Sequence, residues 1–337
     1  MSDARGERAL LQRLAGGPVS GDVLAGEAGL TRAAVWKRIE ALRDAGIAIE
    51  AAPGRGYHLA QPLDLLDVDA IRAALPASVH TGLADLEVAW SLDSTNSELL
   101  RRDTPARGCA VLLAERQSGG RGRRGREWAS PLAAHLYLSL ARRFEGGLAR
   151  LGGLSLVAGV AACEALQALG FPQLRLKWPN DLVVNDGAGL RKLGGLLVEG
   201  GGEAGGAARA VVGIGVNVRM PAAFSSAIDQ PWTQLAALAP APPARNLLAA
   251  GLLAQLLPAL DVFDAQGLAP FLPRYAALDA LAGRPVQVHE AERSWDAQAL
   301  GIAEDGALRV RDDAGDIRLV HAGDVSVRAA RAEAGQA

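Results

Sequence analysis

Residues 115–128, ERQSGGRGRRGREW, set Arg116, Arg121, Arg123, Arg124 and Arg126 among glycines with only two acids. Glycines let backbone approach a polyphosphate, and guanidinium forks match carboxylate or phosphate oxygens two at a time. The stretch reads as a mobile anion-binding loop; standing alone, it would read as a solvated basic loop. Gly120-Arg-Gly-Arg-Arg-Gly125 satisfies G-x-G-x-x-G, but a dinucleotide fingerprint must open an amphipathic helix after a strand, and Arg-Glu-Trp-Ala-Ser-Pro131 does not. Another cation, Lys177, ends a short apolar alternation before Trp178-Pro179, a corner that stiffens the turn. It reads either as a point charge for phosphate or carboxylate or as a surface lysine. Ser94, Thr95 and Asn96 offer small hydroxyls and an amide that suit a neutral polar ligand group, and read equally as a helix N-cap. Gly194, Gly195, Gly213 and Gly215 interrupt two apolar strands, which weakens them unless a ligand or backbone comes close.

The elements that must hold these residues follow from periodicity. The apolar run 109–114 has strand length and feeds the arginine loop, and 135–140 alternates like the strand that leaves it. Residues 148–169 form a long apolar helix ended by Gly170, and 65–75 a helix rich in Asp and Ala. Strands at 191–199 and 211–218 are joined by a glycine-rich turn. Residues 219–245 are loop-like, and 246–264 form a helix interrupted at Pro258. Beyond Arg284, short alternations at 285–288, 307–310, 317–320 and 325–327 are separated by turns, which predicts a small β-barrel of SH3-like type. The final AEAGQA reads as disordered.

Ahead of all this stands a different unit. Leu10, Leu11 and Leu14 mark a first helix, Ser20 caps a second, and Thr31 caps a third in which Val35, Ile39 and Leu42 recur on one face. Gly46 stops that helix, and Ile47, Ile49, the turn at Pro53-Gly54-Arg55-Gly56, Tyr57 and Leu59 make a hairpin wing. This is the order of a winged helix-turn-helix. Ala33, Trp36, Lys37 and Glu40 lie away from the apolar stripe, so Thr31, Arg32, Trp36, Lys37, Arg38 and Arg55 are the DNA-contact candidates. The near balance of charge in this unit also suits a small domain that merely docks on its neighbour.

Bulk properties narrow the classes. The chain has 337 residues, half of them apolar, and a net charge of −2, which excludes a global nucleic-acid field and leaves only local DNA binding. Cys109 and Cys163 sit in apolar surroundings without metal-ligand spacing, so no disulfide framework and no protein-held metal site is assigned. The N-terminus lacks the apolar core of a signal peptide, and Glu164 and Gln167 interrupt the longest apolar span, which reads as a core helix and not a membrane helix. A cytoplasmic protein is expected.

DSTN at 93–96, QSGGRGRRGREW at 117–128, KWPND at 177–181, KLGGLLVE at 192–199 and GIGVNV at 213–218 occur in one order that resembles the biotin protein ligases. With the helix-turn-helix stretch and PGRGYHL, the resemblance narrows to the bifunctional ligases that also repress the biotin operon. It spans almost the whole chain. It implies an α+β protein: a winged helix-turn-helix over residues 1–62, a class II synthetase-like mixed α/β ligase domain over 63–278, and an SH3-like barrel over 279–330. The implied reaction uses biotin, ATP and Mg²⁺. The biotin carboxylate attacks the ATP α-phosphorus to give biotinyl-5'-adenylate and pyrophosphate, and a lysine of a biotin carboxyl carrier protein then attacks the mixed anhydride. No protein nucleophile is needed, only orientation and charge stabilisation.

By the same resemblance, Ser94, Thr95, Asn96, Gln117, Gly120 and Arg121 hold biotin, with Gly213 and Gly215 lining the pocket. Arg123, Arg124 and Trp128 order over the adenylate, and Asn217 contacts the nucleotide. Lys177, Arg121 and Arg123 carry the catalytic charge, with Lys192, Asp181 and Arg328 as lesser candidates. Operator DNA and an adenylate-bound homodimer are the further implied partners. The competing readings are a ligand-sensing regulator without catalysis, a ligase whose DNA role is lost, and a lipoate-type ligase. His135 is expected to be a packing residue.

Overall fold

The computed structural model describes residues 4–52, 54–202, 208–226, 228–290, 293–323 and 326–329. Three helices, α1 (Ala4–Ala15), α2 (Gly21–Ala28) and α3 (Arg32–Asp44), precede a hairpin of β1 (Ile49–Ala52) and β2 (Gly56–Leu59). Ser20 Oγ accepts from the Val23 amide and Thr31 Oγ1 from the Ala34 amide, each satisfying a free donor of the first turn it caps. Leu11, Leu14, Val35, Ile39 and Leu42 fill a small core. The helix-turn-helix with its wing is therefore present as the sequence predicts, apart from Pro53, which lies outside the described residues.

A seven-stranded mixed sheet forms the centre, in the order β3 (Leu83–Ala89), β4 (Cys109–Ala114), β5 (Leu136–Phe144), β9 (Ala208–Val216), β8 (Leu190–Gly202), β7 (Asp181–Asn185), β6 (Arg175–Lys177). Only β3 and β4 run parallel; the other neighbours are antiparallel. Alternation along β9 decides its two faces. Val212, Ile214 and Val216 enter the main core, while Gly213 and Gly215 face the other way. The core face is covered by α6 (Leu154–Ala168) and α9 (Arg245–Gln266). The span Leu148–Ala168, which includes α6, and α9 are long and apolar enough to cross a membrane by composition, yet over half of the apolar window of each is buried, which suits core helices. The open face carries α5 (Thr95–Arg101). Shorter helices α4 (Val68–Ala74), α7 (Ala222–Ser225), α8 (Leu235–Leu238) and α10 (Leu272–Leu278) fill the connections.

Four expectations shift. The helix expected over 65–75 starts only at Val68, because Asp67 is extended and caps it, with Leu66 buried before it. The core helix begins at Leu154, since Gly153 sits at φ 81° and divides it from a 3-10 turn at Leu148–Leu151. The loop 219–245 contains the two short helices α7 and α8. The C-terminal unit is a five-stranded antiparallel sheet ordered β13 (Ile317–Val320), β12 (Leu308–Asp312), β11 (Ser294–Ile302), β10 (Pro285–His289), β14 (Ser326–Ala329), and β11 was not expected. Its sequence, SWDAQALGI, has few β-branched residues and is held by pairing to both neighbours. Val325, the AEAGQA tail and most of the glycine-rich turn after β8 lie outside the described residues.

Candidate active site

The floor of the site is polar and buried. Ser139 on β5 lies opposite Gly213 on β9, which lies opposite Leu197 on β8. Ser139 Oγ is 2.7 Å from Thr95 Oγ1 and 2.6 Å from Asn96 Oδ1, and the Asn96 amide nitrogen donates to the Leu197 carbonyl at 3.1 Å and to Glu199 Oε2 at 2.8 Å. Thr95 donates through both backbone N–H and hydroxyl to Gln117 Oε1, at 2.8 and 3.1 Å. Gly213 is needed because a Cβ there would stand 2.2 Å from Asn96 Oδ1. Ser94 serves as the N-cap of α5, accepting from the Ser97 amide, and is buried at the same floor. The capping and ligand-facing readings of this tripeptide are thus compatible. Asn96, with both ends of its amide bonded inside the protein, braces the floor.

Above the floor the arginine loop folds on itself. Residues 117–119 run beside Leu92 and Asp93, with Gly119 N donating to Asp93 O at 2.8 Å. The return limb pairs through Gly122 N to Arg126 O at 2.7 Å and Trp128 N to Gly120 O at 2.9 Å. No helix follows the last glycine, so the string that matches G-x-G-x-x-G is not a dinucleotide fingerprint. Gly120 admits no side chain: a Cβ would meet Ser130 Oγ at 2.6 Å and Trp128 O at 2.7 Å. Arg124 takes φ 59°, a left-handed conformation uncommon for a residue with a long side chain. Arg121 reaches down to Ser97 Oγ at 2.8 Å and to Glu199 Oε1 at 3.5 Å. Arg123 reaches instead to the C-terminal sheet, donating to the Ala322 carbonyl and to Gly323 O at 2.8 Å. Arg124 and Arg126 are exposed.

Trp128 joins the floor to a second region. Its indole lies over Gly215, where a Cβ would be 2.7 Å away, and Lys192 Nζ stands 5.5 Å from its ring centroid. Lys192 Nζ is 2.7 Å from Asp181 Oδ1, and Lys177 Nζ is 3.8 Å from Asp181 Oδ2. Asp181 thereby holds two ammonium groups at one corner. That corner is anchored on two sides: Trp178 is buried with its indole N–H on the Gly306 carbonyl, and Asn180 pairs with Leu196. The Trp178–Pro179 bond between them is cis. A shallow cleft opens beside Trp128 and Lys192, lined also by Asn217, Met220, Ile228 and Trp232. Asn217 is buried, donating to Thr233 O at 3.0 Å.

His135 is buried beneath this cleft. Its Nδ1 accepts from the Val218 amide at 3.0 Å and its Nε2 faces Met220 Sδ at 3.4 Å. Burial pushes its pKa down to about 3, against a smaller raising effect of the Ala134 carbonyl, so it is neutral and packs as the sequence reading expects. Burial pushes both thiols, Cys109 and Cys163, up to about 12, which makes them inert.

Thus Ser94, Thr95, Asn96, Gln117, Gly120, Arg121, Trp128, Gly213 and Gly215 form one assembly, and Lys177, Lys192, Asp181 and Asn217 adjoin it through Trp128. Arg124 stands apart on the surface, and the Arg328 side chain lies outside the described residues. The sequence reading missed Ser139, Glu199, Glu115 and Arg245. Ser139 had a signal, a hydroxyl inside an apolar strand, but the others needed the three-dimensional partner.

Comparison with known proteins shows the family. The biotin/lipoate A/B protein ligase family matches residues 88–217, an HTH domain residues 7–58, and the biotin protein ligase C-terminal domain residues 282–328. The bifunctional ligase/repressor BirA of Salmonella typhimurium is 41% identical over 331 residues, covering 98% of this chain and 100% of that protein. The chain belongs to the bifunctional biotin ligase/repressor family. A more distant member, from Bacillus subtilis, is 27% identical over 92% of this chain and 94% of its own. Among solved structures, the Aquifex aeolicus biotin protein ligase in complex with biotin and ATP superposes with a TM-score of 0.62 at 26% identity, covering 73% of this chain and all of that one. That solved structure holds biotin and ATP, and this chain carries an HTH domain ahead of its ligase domain.

Proposed function

We propose that the buried floor takes the biotin head group and that the Lys177 corner carries the phosphate charge of adenylation. The observation that carries this reading is the adjacency of a neutral hydroxyl–amide network, suited to an uncharged ureido group, to two lysines gathered by Asp181. Thr95, Gln117 and Ser139 offer the polar contacts, Ser94 and Asn96 hold them in place, and Gly213 with Gly215 gives the ligand a flat bed. Arg121 exchanges its Ser97 and Glu199 partners for the biotin carboxylate. The carboxylate oxygen attacks the α-phosphorus, pyrophosphate leaves, and Lys177 steadies the charge on the α-phosphoryl oxygens. The cleft beside Asn217, between Trp128 and Trp232, suits the planar adenine. Arg123 and Arg124 close over the adenylate and keep water from the mixed anhydride until a carrier lysine amine displaces AMP.

Mg²⁺ enters with the ATP phosphates, because Asp181 is already spanned by two ammonium groups and among the described residues no cluster of three His, Cys, Asp or Glu gathers. The three functional units divide at residues 62/63 and 278/279. DNA contact falls to the exposed face bearing Thr31, Arg32, Trp36 and Lys37, with Arg38 and the wing residue Arg55 beside it. Trp36 is 53% exposed there, and Arg32 rests 3.2 Å from Asp22, a surface pair that a phosphate can displace. A homodimer formed with the adenylate bound, in the cytoplasm, completes the reading; sedimentation with and without biotin and ATP tests the dimer. Incubating the chain with biotin, MgATP and a biotin carrier domain, with lipoate as control, and locating the modified lysine by mass spectrometry tests the chemistry. Lipoate transfer in place of biotin would sink the assignment of the floor.

A further inference from the structure

The arginine loop is rooted by a group far away in the sequence. Glu115, the first residue after β4, and Arg245, the first residue of α9, are 2% and 1% exposed, and Arg245 Nη2 donates to Glu115 Oε2 at 2.7 Å. Glu115 Oε1 accepts from the Leu66 amide at 2.6 Å. Arg245 further donates its backbone N–H to Asp64 Oδ2 at 2.7 Å, its Nε–H to Asp64 O at 2.9 Å and its Nη1–H to His135 O at 3.1 Å. One ion pair thus joins the loop root, the strap leaving the winged helix, the entry to β5 and the start of α9.

Burying two charges is unfavourable against an apolar pair of the same size, and such a pair would fill the space equally well. What the charges supply is direction. A bidentate carboxylate and a five-donor guanidinium fix four segments at defined distances, which apolar contact does not do. Ala133, at the far end of the loop, also donates its amide to the Glu115 carbonyl at 3.0 Å, so both limbs of the loop meet at this residue. We infer that Glu115 and Arg245 are positioning residues for the ligase reaction. They fix the departure point of the loop, and with it Gln117, Gly120 and Arg121, so that the closed loop retains the adenylate. The inference rests on the reading of this loop as the adenylate cover.

The test uses the full chain with biotin and MgATP but no carrier. The wild-type protein releases about one pyrophosphate per site in a burst and then turns over slowly, as escaped adenylate hydrolyses to biotin and AMP and the emptied site reloads. Glu115→Gln keeps the shape and the acceptor for Leu66 but loses the charge. It should keep the burst amplitude and raise the slow phase about ten-fold, the scale of one charge-assisted hydrogen bond. Arg245→Lys, which keeps the charge and loses the fork, should fall between the two. An unchanged slow phase, or burst and slow phase reduced in equal proportion, overturns the inference. Should the variants fail to fold, amide exchange in the wild-type protein decides. The Leu66 amide, which rests on Glu115, should slow with the loop amides when biotin and ATP bind, and loop protection without any change at Leu66 overturns the inference too. A wild-type protein with no burst at all would overturn the adenylation reading beneath it.

Discussion

Thr95, Asn96 and Ser139 reach the site from sheet and helix and are each at most 4% exposed, whereas Arg121, directly above them, is 47% exposed and rests on a serine and a glutamate. The first group is fixed before any ligand arrives. Its hydrogen bonds are made inside the protein, where an unmade one is costly, so its geometry discriminates between ligands more than it stabilises charge. The second group keeps its charge near water and holds weak partners that a carboxylate or phosphate displaces. On the proposed reading, the difference teaches how one site would separate recognition from charge stabilisation: buried neutral dipoles would choose the substrate, and loop- or corner-held cations would act on the reacting atoms.

Lys177→Ala gives the largest effect expected from the charged side. It should lower kcat for biotin-dependent pyrophosphate exchange by about 100- to 1000-fold, the scale of losing one preorganised stabilising group, with little change in the melting temperature. Next, Arg121→Ala should slow adenylation by roughly ten- to a hundred-fold, measured in the same exchange assay. Full activity there would remove the loop from the mechanism and break the comparison on that side. On the buried side the balance reverses. Gly213→Ala drives a Cβ into Asn96, and should raise the KM for biotin more than it lowers kcat while costing about 1–3 kcal/mol of stability in urea titration.

The smallest effect concerns His135, neutral and buried. Its folded pKa of about 3 lies below the ordinary 6.5, so the unfolded chain binds the extra proton first. The stability it confers is complete above pH 6.5 and declines as pH falls towards 3, by about 1.4 kcal/mol per unit. His135→Asn should therefore show a smaller drop in urea midpoint between pH 7 and pH 5 than the wild type. An equal drop would assign the acid sensitivity elsewhere.

Much of this arrangement is legible without coordinates, for reasons that differ by element. The strand Cys109–Ala114 has the limits read from the sequence, because an unbroken apolar run next to a glycine-rich polar stretch leaves no other way to bury it. β11 escaped because its small and polar residues follow no strand pattern and take their conformation from two neighbours. The arginine loop, the Lys177 corner and the β9 glycines were visible as residue types out of place in their surroundings. Glu199 was visible only as the last letter of a strand, and the pairing of Glu115 with Arg245 not at all, since a pair 130 residues apart has no local spacing to betray it. The loop was expected to be mobile; its short internal ladder became apparent only once Gly120 and Trp128 were seen to pair.

Leu132, four residues past Trp128, is buried in the core of the winged helix, and its amide donates to the Ala45 carbonyl at 2.8 Å. Trp90, just past the end of β3, likewise donates its indole N–H to Glu7 at 2.9 Å and packs against that core. The boundary between the reader of DNA and the maker of adenylate is thus a shared wall and not a hinge with a gap. A catalytic fragment cut free at residue 62 would present that wall, with a leucine and a tryptophan on it, to water. To stay in solution, such a fragment would need those surfaces repainted with polar side chains, and the far limb of its arginine loop would have lost its support.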